Sequence, residues 1–469
     1  MEGRAGDTIA AALLRNGITT FTRSIKYHRP RGPFCLAGSC GQCLVRVDGV
    51  PSLPACRVPL REGMAISRQN APTGAENDFF RAVDFLYPGG LDHHHLLVQS
   101  RLLGRVALEV ARRLGGLGTL PDVARAPVQG STRETQVAVI GAGPAGLAAA
   151  RAALGAGARV IVLERNAQAG GALLLGIGAA AGGEQSGSGG AKAVAAALAE
   201  ELRAIAQAGG EVLLDAEVVG LYPSEDGGPP LLALREGDRL TVLRARRVVV
   251  ATGCWPQPFP FPGVDRPGVY AARGLVQLAQ RSNLLVGWSG ASSPGAAPAG
   301  EGDPAPALAV LGEGQELLDC ARALRREGYA LARVVDAGDD WANATDAGGA
   351  PAASDLPLVR ATPVRARGNP VRELQIQTGP GGAVEKIACA AVALAFPPAP
   401  AHELASAAGA RAMFQQSVNG FPVEVDQSFR TCVPWLFCAG SAAGAGGVRA
   451  AGSGQTAGAA AAQSLAEGE

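Results

Sequence analysis

Short apolar runs closed by glycine recur along this chain, each followed by an Ala- or Leu-rich stretch of helical period. The fullest case is "TQVAVIGAGPAGLAAARAALGAGARVIVLERN", residues 135–166. Its "VAVI" predicts a buried strand, its glycines a tight turn, its alanines a helix, and "RVIVLE" a second strand. "ALAVLGEGQELLDCARALRREGYALARVVDAG" (307–338) repeats the plan. "RRVVVATGCWP" (246–256) predicts a strand ending at Ala251-Thr252-Gly253. "WLFCAGSAAGAGGVRAAGSGQTAGAAAA" (435–462) predicts a strand, a Gly-Ser turn and a Gly/Ala helix. Strands alternating with helices predict an α/β architecture.

The N-terminal pattern is different. "GDTIAAALLRNG" (6–17) predicts an acid-capped helix starting at Asp7 or Thr8 and ending at Gly17. "CLVRVDGVPSLPACRVPL" (43–60) predicts a strand, a turn at Asp48-Gly49 and a second strand. Between them, Cys35, Cys40 and Cys43 stand at C-x4-C-x2-C, with Cys56 twelve residues on. This is plant-type [2Fe–2S] spacing with a short final gap. Gly38 and Gly41 let a loop wrap the inorganic sulfides with backbone N–H groups turned to sulfur. Zinc is the rival, but its sites favour paired C-x2-C knuckles. Helix, cysteine loop and hairpin predict a β-grasp ferredoxin-like domain. Only five residues precede Gly6, fewer than a leading hairpin needs, so a longer natural N-terminus or a trimmed domain is expected.

In 135–166, Gly141-x-Gly143-x-x-Gly146 has the dinucleotide spacing: tight turn, close approach to a pyrophosphate, and close helix–strand packing. Pro144 and Ala145 open the helix whose N-terminus faces the phosphates. Glu164, followed by Arg165, is placed to accept hydrogen bonds from an adenosine ribose. The fingerprint alone does not separate FAD from NAD. FAD is favoured by Gly170-Gly171 just after the acid, by Ala251-Thr252-Gly253 and by the Gly440-Ser441 turn. Flavoproteins usually carry Gly-Asp at that last turn, and a hydroxyl holds a ribityl oxygen less strongly than a carboxylate does. In 307–338 the glycines are Gly312 and Gly314, Leu317 replaces a third, and Glu313 and Glu316 bring negative charge. A scaffold that has lost its nucleotide is expected there.

Composition narrows the picture. Forty-two basic against 41 acidic residues argue against a general affinity for nucleic acid or anionic membrane. No signal-peptide layout and no run of 18 apolar residues appears, so a cytoplasmic protein without a membrane span is expected. In that compartment nine cysteines are metal ligands or buried small residues before they are disulfides. His93, His94 and His95 have no partner set for a metal. Cys254 has no second cysteine two or five residues away, so disulfide-reductase chemistry is not supported. Cys320, Cys389, Cys432 and Cys438 are expected in the core.

The stretches "RSIKYHRPRG", "AGGALLLG", "VVVATGCWP" and "DRPGVYAARG" resemble the α-subunit of heterotetrameric sarcosine oxidase. They also resemble α-subunits of opine, proline and hydroxyproline dehydrogenases and of hydrogen cyanide synthase. The resemblance implies electron transfer beside a FAD-dependent amine or amino-acid oxidase-like partner subunit. It implies a [2Fe–2S] centre on Cys35, Cys40, Cys43 and Cys56. It implies FAD, with NAD or ATP in some members, in the first dinucleotide site, and leaves room for FMN at a subunit interface. No folate-binding half and no cysteine-rich C-terminal module follow, so sarcosine as substrate and a second cluster are not implied.

The expected organisation is a [2Fe–2S] domain at 1–70 and a helical connector at 71–133. A FAD domain takes 134–255 and 405–469, around a second dinucleotide-binding-like domain at 256–404. Segments 176–190, 288–306 and 337–354 are expected to be surface loops. The leading expectation is an electron-transferring flavin/iron–sulfur subunit of an amine or amino-acid dehydrogenase. The alternatives are a stand-alone NAD(P)H-dependent reductase and a scaffold whose dinucleotide is only structural.

Overall fold

The computed structural model describes residues 2–24, 27–69, 82, 85, 101–114, 130–177, 188–224, 226–237, 239–286, 307–338, 355–379 and 381–466. His93–His95, most of the expected connector and the greater part of the three expected loops lie outside them. The chain divides into two compact units: Met1–Ala124 with Pro258–Phe396, and Arg125–Gln257 with Pro397–Glu469.

The second of these units is built on a parallel sheet. Its strands are Glu211–Leu213, Val160–Leu163, Gly130–Ile140, Arg239–Val250 and Leu436–Cys438, in that spatial order. On its other edge the first half of Arg239–Val250 also pairs antiparallel with Leu231–Glu236, which pairs with Ala216–Tyr222. Alternate residues of the central strands are buried on both faces, Val137, Val139 and Val249 on one and Ala138, Ile140, Val248 and Val250 on the other. That explains why the strands read as unbroken apolar runs. The strand Gly130–Ile140 begins four residues before the expected boundary at 134, because Gly130 to Arg133 pair with Leu240 to Leu243. The helix Ser188–Gln207 likewise begins inside the stretch read as a loop.

Helices pack on this sheet, and two of them also pack on each other. Pro144–Gly155 carries the proline at its first turn, where a missing N–H costs nothing. Ala450–Gln463 lies against it with glycines at the contact: a Cβ on Gly454 would stand 1.9 Å from the Ala145 carbonyl oxygen, and one on Gly458 2.1 Å from that of Ala149. The Gly/Ala composition of the tail is thus explained by backbone-to-backbone packing.

The other unit joins an N-terminal module to a second parallel sheet. In the module, Thr8 caps the helix Ile9–Arg15 by accepting a hydrogen bond from the Ala11 N–H at 3.3 Å. Asp7, buried, pairs with Arg15 instead. The strands Leu44–Val47 and Val50–Pro54 meet through Asp48 and Gly49, both at positive φ, and Ile66–Arg68 completes a three-stranded sheet. The second sheet runs Val269–Ala271, Ala391–Ala395, Ala307–Gly312, Ala330–Asp336 and Leu358–Arg360, all parallel. Three antiparallel strands within Thr362–Ala388 follow in sequence. The architecture is α/β with a ferredoxin-like module, as the hydrophobic pattern predicts.

Candidate cluster loop and dinucleotide cradle

The four cysteines predicted to act together are brought together. Cys35, Cys43 and Cys56 are buried, while Cys40 is half-buried beside exposed Gly38, Ser39 and Gly41. Gly38 and Gly41 both take positive φ, as the wrapping loop requires. The Cys40 and Cys56 thiols donate to Cys35, which lies well below the usual thiol range for that reason. Cys56 also donates to Cys43 and lowers it. The two donors are correspondingly pushed up, Cys40 by its bond to Cys35 and Cys56 by its bonds to Cys35 and Cys43. Four thiols this close share protons as a set, and a metal that takes them as thiolates removes the conflict. The Ala37 and Ser39 N–H groups donate to the Cys35 sulfur at 3.4 and 3.3 Å. Among the described residues no three His, Cys, Asp or Glu side chains are grouped to hold a metal ion. The thiols form one linked set, with Cys56 reaching both Cys35 and Cys43 and Cys40 reaching Cys35.

The dinucleotide residues also gather, around the C-terminal end of the strand Gly130–Ile140. Gly141, at φ +104°, leaves no room for a side chain, since a Cβ would lie 2.4 Å from the Ala251 carbonyl oxygen. At Gly146 a Cβ would lie 1.8 Å from the Gly141 carbonyl oxygen. At Gly143 a Cβ meets nothing within 4 Å, so the space before the Pro144–Gly155 helix is open, and only a glycine leaves it so. Gly171 lies against Gly143, where a Cβ would meet the Gly143 Cα at 3.2 Å, and the Gly170 N–H donates to the Ala142 carbonyl at 2.7 Å. A pyrophosphate at the helix N-terminus fits this cradle.

Glu164, 5 % exposed, closes the cradle at the tip of the neighbouring strand. Its Oε2 accepts from the Ala142 N–H at 2.9 Å. Its Oε1 accepts from the Asn166 N–H at 2.9 Å and from the Asn166 side-chain amide at 2.7 Å. These bonds fix the carboxylate and leave it lone pairs for ribose hydroxyls. Arg165 lies 4.5 Å over the Trp255 ring, whose Nε1–H donates to Glu403. Thr252 donates to the Ala401 carbonyl at 2.7 Å, and Ala401 returns an N–H to Gly253. The Gly440 N–H donates to the Ser453 hydroxyl at 2.9 Å, with Ala145 against its Cα face. Ser441 follows in the same turn, half-buried. Asn166, Trp255, Glu403, Ser453 and the Gly454/Gly458 pair were not singled out from sequence. The four-residue spacing of the two glycines was the one available signal.

The second fingerprint is built differently. Glu316, in the first turn of Gly314–Arg326, forms a two-pronged ion pair with Arg273 at 2.6 and 2.7 Å. Leu317 is buried. A carboxylate of the chain's own thus stands at a helix N-terminus where a phosphate would otherwise be favoured.

Known proteins agree with this layout. Residues 1–71 match the 2Fe-2S iron–sulfur cluster binding domain. Residues 135–464, well over half of the chain, match the pyridine nucleotide-disulphide oxidoreductase model. The chain belongs to the pyridine nucleotide-disulphide oxidoreductase family. Its cofactors are accordingly a [2Fe–2S] cluster and FAD.

Within that family it is a homologue of sarcosine oxidase α-subunits. It is 31 % identical to the one from Rhizobium meliloti over 308 residues, 61 % of this chain and 30 % of the relative. The chain therefore matches less than a third of that subunit's length. Hydrogen cyanide synthase subunit HcnA of Pseudomonas aeruginosa is 33 % identical over 66 residues, 14 % of this chain and 62 % of that one. L-proline dehydrogenase from P. horikoshii has the same fold, with a TM-score of 0.62 at 20 % identity, over all of this chain and 71 % of its own. Among the described residues no helix is long and apolar enough to cross a membrane.

Proposed function

We propose that this chain is the electron-transferring flavin/iron–sulfur subunit of a multi-subunit amine or amino-acid dehydrogenase or oxidase. It would take electrons that originate in a partner flavoprotein subunit, where the substrate is oxidised, and deliver them to an acceptor. The observation that carries the reading is the four-thiol loop and the glycine cradle in one chain. Bound there, FAD exchanges one or two electrons and the cluster one at a time.

The chain's own residues bind and orient. Cys35, Cys40, Cys43 and Cys56 would hold the irons, with Ala37 and Ser39 donating to sulfur. Gly141, Gly143 and Gly146 would admit the pyrophosphate to the helix N-terminus, and Glu164 would take the ribose. Gly170-Gly171, Ala251-Thr252-Gly253 and Gly440-Ser441 would line the rest of the cofactor's path. The homologues' names as subunits support a partner. The Arg273–Glu316 pair speaks against a nicotinamide dinucleotide as electron source in the second fold.

The test uses the full chain, purified anaerobically from iron-supplied cells. Released nucleotide is identified by chromatography, and the EPR spectrum is recorded after dithionite and, separately, after NADH. FAD with a rhombic signal averaging below the free-electron g value, appearing with dithionite and not with NADH, is the expected result. FAD without iron or acid-labile sulfide removes the relay. A cluster reduced by NADH makes the chain a stand-alone reductase instead.

A further inference from the structure

Within its compact unit, the N-terminal module is seated on the second dinucleotide-like fold. Phe34 and Cys35 belong to the same buried cluster as Val269, Ala271 and Leu394. The Ala271 N–H donates to the Phe34 carbonyl at 2.9 Å, and the helix Ala272–Ser282 starts at that bond. Farther along, Gln277, Leu278 and Arg281 of this helix face Thr8, Leu36 and Cys56 across a small cleft.

Gly274 lies in the first turn of that helix, buried, against the cysteine loop. A Cβ there would stand 2.4 Å from the Cys35 carbonyl oxygen and 3.0 Å from both the Cys35 carbonyl carbon and the Leu36 Cβ. The nearest atoms are backbone, so they cannot swing aside as the end of a side chain would. Gly274 sits in regular helix, where glycine is unfavourable, so the close approach is what demands it. Its neighbour Arg273 pins the same turn to Glu316. The loop pressed against Gly274 is the one whose Ala37 and Ser39 N–H groups reach the Cys35 sulfur.

We propose that Gly274 is a positioning residue for the cluster: by its lack of a side chain it sets the Cys35 backbone, and through it the N–H···S bonds on that ligand. The second dinucleotide-like fold then serves as the seat that tunes the iron–sulfur centre. The inference rests on the reading that the four cysteines hold a [2Fe–2S] cluster. N–H···S bonds favour the reduced cluster, which carries one more negative charge. Lengthening them lowers the reduction potential.

The experiment is an EPR-monitored redox titration of the full chain, wild type against Gly274→Ala, with FAD content measured alongside. Gly452→Ala, a helical glycine with nothing within 4 Å of its Cβ, is the control. A tenfold fall in the reduced-to-oxidised ratio at fixed potential is expected for Gly274→Ala, about 59 mV for one electron. Altered g values, unchanged FAD content and an unshifted control complete the expected result. A Gly274→Ala cluster with wild-type potential and g values overturns the proposal. If Gly274→Ala takes up no iron, Arg273→Lys decides: a smaller shift in the same direction supports it, and none overturns it. A wild-type chain that shows no cluster signal would instead remove the reading beneath.

Discussion

Replacing Gly454 with alanine is the sharpest probe of the FAD domain. The added Cβ would start 1.9 Å from the Ala145 carbonyl oxygen, with the Ala145 carbon and Cα at 2.7 and 2.8 Å. Ordinary contact begins at 3.4 Å, so the Ala450–Gln463 helix must recede by about 1.5 Å, or the Pro144–Gly155 helix must yield. Overpacking of this kind costs about 1–3 kcal/mol. Removing a glycine from a helix returns about 1 kcal/mol, leaving a net loss of about 0–2 kcal/mol. For a domain of this size that lowers Tm by ~2–4 °C per kcal/mol. Ala145 is in the helical turn proposed to face the pyrophosphate, so FAD affinity should fall by about tenfold, or ~1.4 kcal/mol. Thermal unfolding of the apo chain and a flavin-fluorescence titration measure the two effects. Gly452→Ala, two residues away with no neighbour, should be neutral or slightly stabilising in both. If Gly454→Ala matches that control in stability and in FAD affinity, the close helix contact is not what the glycine serves.

Glu164→Gln removes the charge from bonds to Ala142 and Asn166 and toward a ribose; at about 1.5–3 kcal/mol for charge-assisted bonds, FAD should bind ~10–100-fold more weakly. An unchanged Kd by fluorescence titration would deny the carboxylate its role. Cys40→Ser should abolish the rhombic EPR signal while FAD stays bound, and a wild-type spectrum from that variant would remove Cys40 from the ligand set. A thiol reagent at about pH 8 should modify Cys432, which is exposed, and spare Cys438. Burial pushes the Cys438 thiol up to about 12, so it stays protonated and unreactive below that pH. Peptide mass mapping checks the pattern, and labelling of Cys438 in the native chain would contradict its place in the core.

Much of this protein was determined by local sequence. The Thr8 cap, the Asp48-Gly49 turn, the cysteine loop and the strand–turn–helix at 135–166 depend on short-range spacing and on backbone angles that only glycine adopts cheaply, so they can be read off the chain. Cys432 departed from expectation: it lies exposed, its thiol turned to the Gly409 carbonyl, because an apolar neighbourhood in sequence need not be one in space. What the tertiary structure alone decided are contacts between segments far apart in the chain. Gly454 admits the Ala145 backbone, Arg273 takes the Glu316 carboxylate, and Gly274 admits the Cys35 carbonyl. In sequence these are a glycine in an Ala-rich tail, an arginine among many and a glycine in an ordinary helix. Their meaning is set by which distant group the fold brings within 3 Å, backbone for the glycines and a carboxylate for the arginine, and no local pattern encodes that partner.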